Sequence, residues 1–80
     1  MVAESDMEVL ELTKKRNKAK AYRVMIGKTQ QEMAELFGIS KQAYSAKERG
    51  ISRFSDDEML LFKSLVKEEV PDITIDSIFF

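Results

Sequence analysis

The sequence predicts an all-α fold, a compact bundle of four to five short helices in one small domain. Three observations predict it. Apolar residues recur at helical spacing, as in Met33, Ala34 and Phe37 and again in Met59, Phe62, Leu65 and Val66. Hydroxyl residues stand where such stretches begin, Ser40 and Ser55 among them, ready to cap first-turn amides. Gly27, Gly38, Gly50 and Pro71 stand where the stretches should end. Eighty residues, 44% hydrophobic and 34% charged, suit one small globular unit rather than a disordered chain. The expected organisation is an N-terminal extension over 1–16, a helical domain over 17–70 and an apolar tail over 71–80.

Residues 1–12 admit two readings. Met7, Leu10 and Lys14 fit a helix, whereas Val9, Leu10 and Leu12 fit a short strand; the helix is expected over Ser5 to Leu12. Lys14 to Lys20 is a dense basic run, either a solvated helix face or a neighbour of phosphates. The first helix of the domain should span Asn17 to Ile26, with Ala19, Tyr22 and Ile26 inward and Gly27 ending it. Thr29 is placed to cap a helix from Gln30 to Phe37. Gly38 stops that helix, Ile39 points back to the core, and Ser40 caps another helix from Lys41 to Arg49 that stops at Gly50. Ala34, four residues before Gly38, is small enough to let the two helices approach at a steep angle.

After Gly50, Ile51 and Phe54 should both plug the core. Ser55-Asp56-Asp57-Glu58 reads as a capping box opening a helix to about Val70, its three acids suited to the helix dipole. Asp72 or Thr74 is then placed to cap a last turn in which Ile75, Ile78 and Phe79 share a face. That apolar tail either folds back on its own core or meets the same tail of a second subunit.

Charge and missing residue types narrow the function. There is no cysteine and no histidine, which removes disulfides, thiolate metal sites and the commonest general base. The acids cluster where helix caps explain them, so no catalytic residue, metal site or cofactor is expected. No apolar run approaches the roughly 20 residues of a membrane span, and the acidic N-terminus is unlike a signal peptide, so the expected compartment is the cytoplasm. The net charge of −1 is unevenly distributed. Residues 13–53 hold eleven Lys/Arg against three Glu, net +8, while 1–12 carry −4 and 54–80 carry −5. A polyanion partner requires such a basic segment.

Two short helices, a small residue in the first, a glycine turn and a capped second helix form a helix-turn-helix pattern. The chain resembles the Cro/repressor-type, XRE-like regulators of phages and bacteria over about residues 17–70. Arg23, Gly27, Thr29-Gln30, Ala34, Gly38-Ile39-Ser40, Glu48 and Gly50 carry the resemblance. Tyr44 departs from it, standing where a smaller aliphatic is usual, and so does Lys47, where the family often has an aromatic residue.

The resemblance implies a lambda-repressor-like fold and a small sequence-specific regulator, of repressor type, from a phage or other mobile element. It implies that helix 41–49 enters the major groove of double-stranded DNA with Tyr44 inward, so that Lys41, Gln42, Ser45 and Ala46 face bases. Gln42 is suited to adenine N6 and N7, and Lys41 to guanine O6 or N7. Phosphates would be held by Lys28, Gln30, Ser40, Lys47, Arg49, Arg23 and Arg53, which set register without reading sequence. By family position Arg23 also pairs with Glu48, locking the first helix to the third. One module covers few base pairs, so a homodimer on a two-fold site is expected, half-sites roughly 34 Å apart. No membrane and no small-molecule ligand are implied. The competing reading is a protein-binding modulator that keeps this fold without specific DNA binding.

Overall fold

The computed structural model describes residues 17–80, and among them five helices and no strand. They are α1 (Ala19–Met25), α2 (Gln30–Phe37), α3 (Lys41–Glu48), α4 (Asp56–Lys67) and α5 (Ile75–Phe79). The extension over 1–16, its expected helix at Ser5 to Leu12 and the basic residues Lys14, Lys15 and Arg16 lie outside the described residues.

Side-chain caps open four of the five helices. Thr29 Oγ1 accepts from the Glu32 amide at 3.0 Å while Glu32 accepts from the Thr29 amide at 2.8 Å, a complete capping box. Ser55 and Glu58 form the expected second box, at 3.1 and 2.8 Å. Ser40 caps α3 through the Ala43 amide, and Thr74, rather than Asp72, caps α5 through the Ser77 amide. Helix α1 lacks such a cap and is shorter than the expected 17–26. Asn17 Oδ1 accepts from the Ala19 amide instead, and this local bond holds the chain outside the helix. Helix α4 ends at Lys67, short of Val70; the Glu69 amide makes a tighter i→i−3 bond to the Val66 carbonyl in the turn that follows, ahead of Pro71.

The turn between α2 and α3 depends on backbone conformation rather than space. Gly38 has φ +71°, and a Cβ there would meet nothing within 4 Å. Its left-handed conformation, not crowding, is what calls for glycine. The Ile39 amide then closes the turn on the Ala34 carbonyl at 3.0 Å, and Ala34 itself is fully buried.

The core is an aromatic network drawn from almost every element. Phe37 lies edge-on to Tyr44, Phe54 and Phe62, with centroids 5.7 to 6.2 Å apart, and Phe54 and Phe62 both touch Phe79 at 4.9 and 5.5 Å. All but the tilted Phe54–Phe79 pair are edge-to-face, the arrangement that aromatic quadrupoles favour. Met33, Val66, Ile73 and Ile78 fill the remainder. Ile73, Ile78 and Phe79 thus pack into the core of their own chain, and Lys18 ties α5 to the start of α1 by an amide bond to the Ile78 carbonyl at 2.6 Å.

One apolar expectation is corrected. Phe54 is buried, but Ile51 is 69% exposed. The Ile51 and Ser52 amides both bond the Ala46 carbonyl just after left-handed Gly50, a helix-ending turn that leaves the Ile51 side chain outside.

The two terminal aromatic residues should respond differently to truncation. Phe79→Ala should lower stability in urea denaturation by about 3–5 kcal/mol, a large share of what a small domain possesses. Phe80→Ala, at a residue 70% exposed, should change it by less than about 0.5 kcal/mol.

Candidate nucleic-acid interface

Helix α3 presents its first turn to solvent because its other face is consumed by the core. Tyr44 is fully buried and Glu48 is 6% exposed, one turn further on. With those two inward, Lys41 and Gln42 are exposed, and Ser45 is half-buried beside them. These three line a shallow hollow together with Gln30 from the start of α2 and Arg49 from the end of α3. The hollow therefore joins three of the expected base-facing residues to two of the expected phosphate contacts. Ala46 is half-buried and does not line it.

The hollow rests on a buried ion pair. Arg23 Nε donates to Glu48 Oε2 at 2.6 Å and Nη2 donates to Glu48 Oε1 at 3.3 Å. Arg23 Nη1 donates to the Lys28 carbonyl at 2.8 Å, so the same guanidinium also fixes the α1–α2 turn. Gln30 Nε2 donates to Glu48 Oε1 at 2.9 Å. One carboxylate thereby orients α1, the first residue of α2 and the last turn of α3. Burial alone would push the Glu48 carboxyl above its ordinary range, but the bonds from Arg23 and Gln30 outweigh it and hold it below. The bond to Glu48 likewise raises Arg23, against the opposing effect of burial.

Tyr44 is the flaw in this arrangement. Its hydroxyl is buried without a well-formed hydrogen bond, yet lies close enough to Glu48 and Arg23 to interact with both, and it helps hold the Glu48 carboxyl low. Burial first, and the neighbouring carboxylate second, push the phenol far above its ordinary value, so it stays neutral.

Two expected phosphate contacts, Arg23 and Lys47, also bond within the fold. All three guanidinium nitrogens of Arg23 have acceptors, and the residue is 9% exposed. Lys47 donates to the Arg53 carbonyl at 2.8 Å, pairs with Glu58 at 3.0 Å and sits 6.0 Å from the Phe54 ring centroid. Its ammonium braces α3 against the start of α4, at the position where the sequence departs from the family's aromatic residue. Arg49 is exposed on the hollow, and Ser40 is exposed while its oxygen caps α3. Lys28 and Arg53 do not line the hollow; Arg53 belongs to a neighbouring groove. The amides of Gln30 and Gln31 precede the first helical bond of α2, Met33 to Thr29, and so form part of its electropositive end.

Among the described residues no group of acids, histidines or cysteines has metal-site spacing, and no helix is long and apolar enough to cross a membrane. The helix-turn-helix family matches the chain over residues 20–62, from the second residue of α1 into the middle of α4. No curated protein and no solved structure matches it.

Two measurements test the buried network. Glu48→Gln should cost about 3–5 kcal/mol by stranding the Arg23 charge, and an Arg23→Met/Glu48→Leu double variant should cost less than the sum of its single changes. Because the folded pKa of Glu48 is depressed, its contribution is fully present above the unfolded value of about 4.3 and is lost as pH falls through the folded one. The acid limb of stability against pH should therefore flatten in Glu48→Gln, leaving a remnant from Glu58 and Glu32, whose carboxyls are also lowered. Tyr44→Phe removes an unpaired buried hydroxyl and keeps the ring contacts. It should leave stability unchanged or raise it by about 1 kcal/mol.

Proposed function

We propose, for a chain that belongs to the helix-turn-helix family of Cro/XRE-type DNA-binding transcription regulators, that α3 enters the major groove and reads sequence directly. The observation that carries this reading is the shared hollow, in which Lys41, Gln42 and Ser45 stand beside Gln30 and Arg49 on a face the core leaves free.

The roles follow from chemistry and position. Gln42, exposed in the first turn of α3, offers an amide that pairs with adenine N6 and N7; such a pair discriminates by roughly 1–3 kcal/mol. Lys41 donates to guanine O6 or N7, Ser45 supplies a short donor or acceptor, and Ala46 meets at most a thymine methyl. Arg49, Lys28, Ser40, Gln30 with its helix amides, and Arg53 hold phosphates and set the register. Arg23 and Lys47 act through the elements they brace. Two copies on a two-fold site would supply the affinity that one short helix lacks.

Selection from random duplex DNA, run for the parent and Gln42→Ala at two salt concentrations, tests this. The parent should enrich a two-fold motif, and the variant should lose its adenine preference with little change in salt dependence, because phosphate contacts remain. Steep salt dependence without a motif would leave a non-specific DNA binder. Absence of binding even at low salt would turn the reading to a protein-binding modulator.

A further inference from the structure

Arg49 lines a second, larger concavity of about 540 Å³. Its apolar surface comes from Ile51, Phe54, Met59, Phe79 and Phe80, with Arg53 as a second cation on its wall. Ile51 and Phe80 are among the most exposed large apolar side chains of the described residues, 69% and 70%. The groove is thus apolar and basic together, and its apolar half has no part in the proposed DNA contacts.

The chain enters the described fold at this groove. Asn17 lines it, and its amide donates to the Lys47 carbonyl at 2.9 Å. Lys18 is tied to the Ile78 carbonyl in the next position. The preceding residues 1–12 carry four acids and no base, Glu4, Asp6, Glu8 and Glu11, interleaved with Val2, Met7, Val9, Leu10 and Leu12. Only residues 13–16 separate them from Asn17, and four residues span at most about 14 Å. In sequence, an acidic, apolar segment thus lies within four residues of the point where the described chain meets a basic, apolar groove. At such a tether length the effective concentration reaches the millimolar range.

We infer that residues 1–12 dock in cis on this groove, their apolar side chains on Ile51 and Phe80 and their carboxylates against Arg49 and Arg53. A second copy is the poorer occupant. A two-fold contact of groove on groove would gather four arginines at one interface whose lining holds no acidic side chain to offset them. Since Arg49 and Arg53 are also proposed phosphate contacts, the docked segment competes with DNA for them. That consequence rests on the DNA-binding reading; the docking does not.

The test needs no DNA. The chain has no cysteine, so Ser5→Cys gives one site for a nitroxide label in the full-length protein, and amide peak intensities report what the label approaches. Docking predicts selective loss of intensity at Ile51, Arg53 and Phe80. The loss should weaken with added salt and in an Arg49→Glu/Arg53→Glu variant, whose two sites are exposed and whose remaining peaks check that the fold is kept. It should be absent when labelled protein is mixed with unlabelled, isotope-enriched protein. Loss spread evenly over the surface, or centred elsewhere, would overturn the proposal. Loss at the groove in the mixed sample would assign it to a second copy and overturn docking in cis.

Discussion

The fold turns on one buried carboxylate. Glu48 receives Arg23 from α1 and Gln30 from α2 while standing at the end of α3, so the three helices share a single point of reference. Removing two charges from water is costly, and the cost is recovered only when geometry and additional hydrogen bonds are good. Here Arg23 engages both carboxylate oxygens and sends its third nitrogen to the Lys28 carbonyl. An apolar substitute of similar volume could match that stability. It could not fix the turn before α2 and the last turn of α3 with the same side chains. The polar network is best understood as setting direction, with the aromatic core supplying most of the cohesion.

The two systems meet at Tyr44. Its ring completes the aromatic network, and its hydroxyl points toward the ion pair without a bond of its own. A smaller aliphatic residue here would remove one edge-on partner each from Phe37 and Phe54, which would keep each other and Phe62. Lys47 solves a related problem at the far end of α3, where its ammonium sits 6.0 Å from the Phe54 ring centroid and reaches Glu58 and the Arg53 carbonyl. Helix α3 is therefore braced at its C-terminal end by two neighbours, while its first turn remains free. That asymmetry suits a helix that approaches a partner N-terminus first.

Much of this was legible in the sequence because it is encoded locally. Ser40 and Ser55 cap where hydroxyls precede apolar periods, and Gly38 marks a turn that needs positive φ. Arg23 and Glu48 lie 25 residues apart, and only the resemblance to a family suggested their pairing. The residues that escaped local reasoning are those decided by tertiary contacts. Ile51 has the composition of a core residue, yet two bonds to the Ala46 carbonyl turn it outward. Lys47 carries bonds to the Glu58 carboxylate and the Arg53 carbonyl that no local pattern announced. The tail fitted either a fold-back or a subunit contact until Phe79 was placed between Phe54 and Phe62.

A net charge of −1 conceals how the charges are used. In α4 the first-turn acids are partly consumed by capping and by Lys47, so Glu58 does not stand as an open negative site. On the other side, Arg49 is free of any carboxylate within ion-pair distance among the described residues and borders both the hollow and the groove. A single guanidinium in that position couples the two surfaces electrostatically. Whatever acidic group occupies the groove lowers the positive potential available at the hollow, and a phosphate at the hollow does the same for the groove. By thermodynamic reciprocity the two occupants must weaken each other by the same factor. A helix-turn-helix domain can in this way be made sensitive to what lies beside α3.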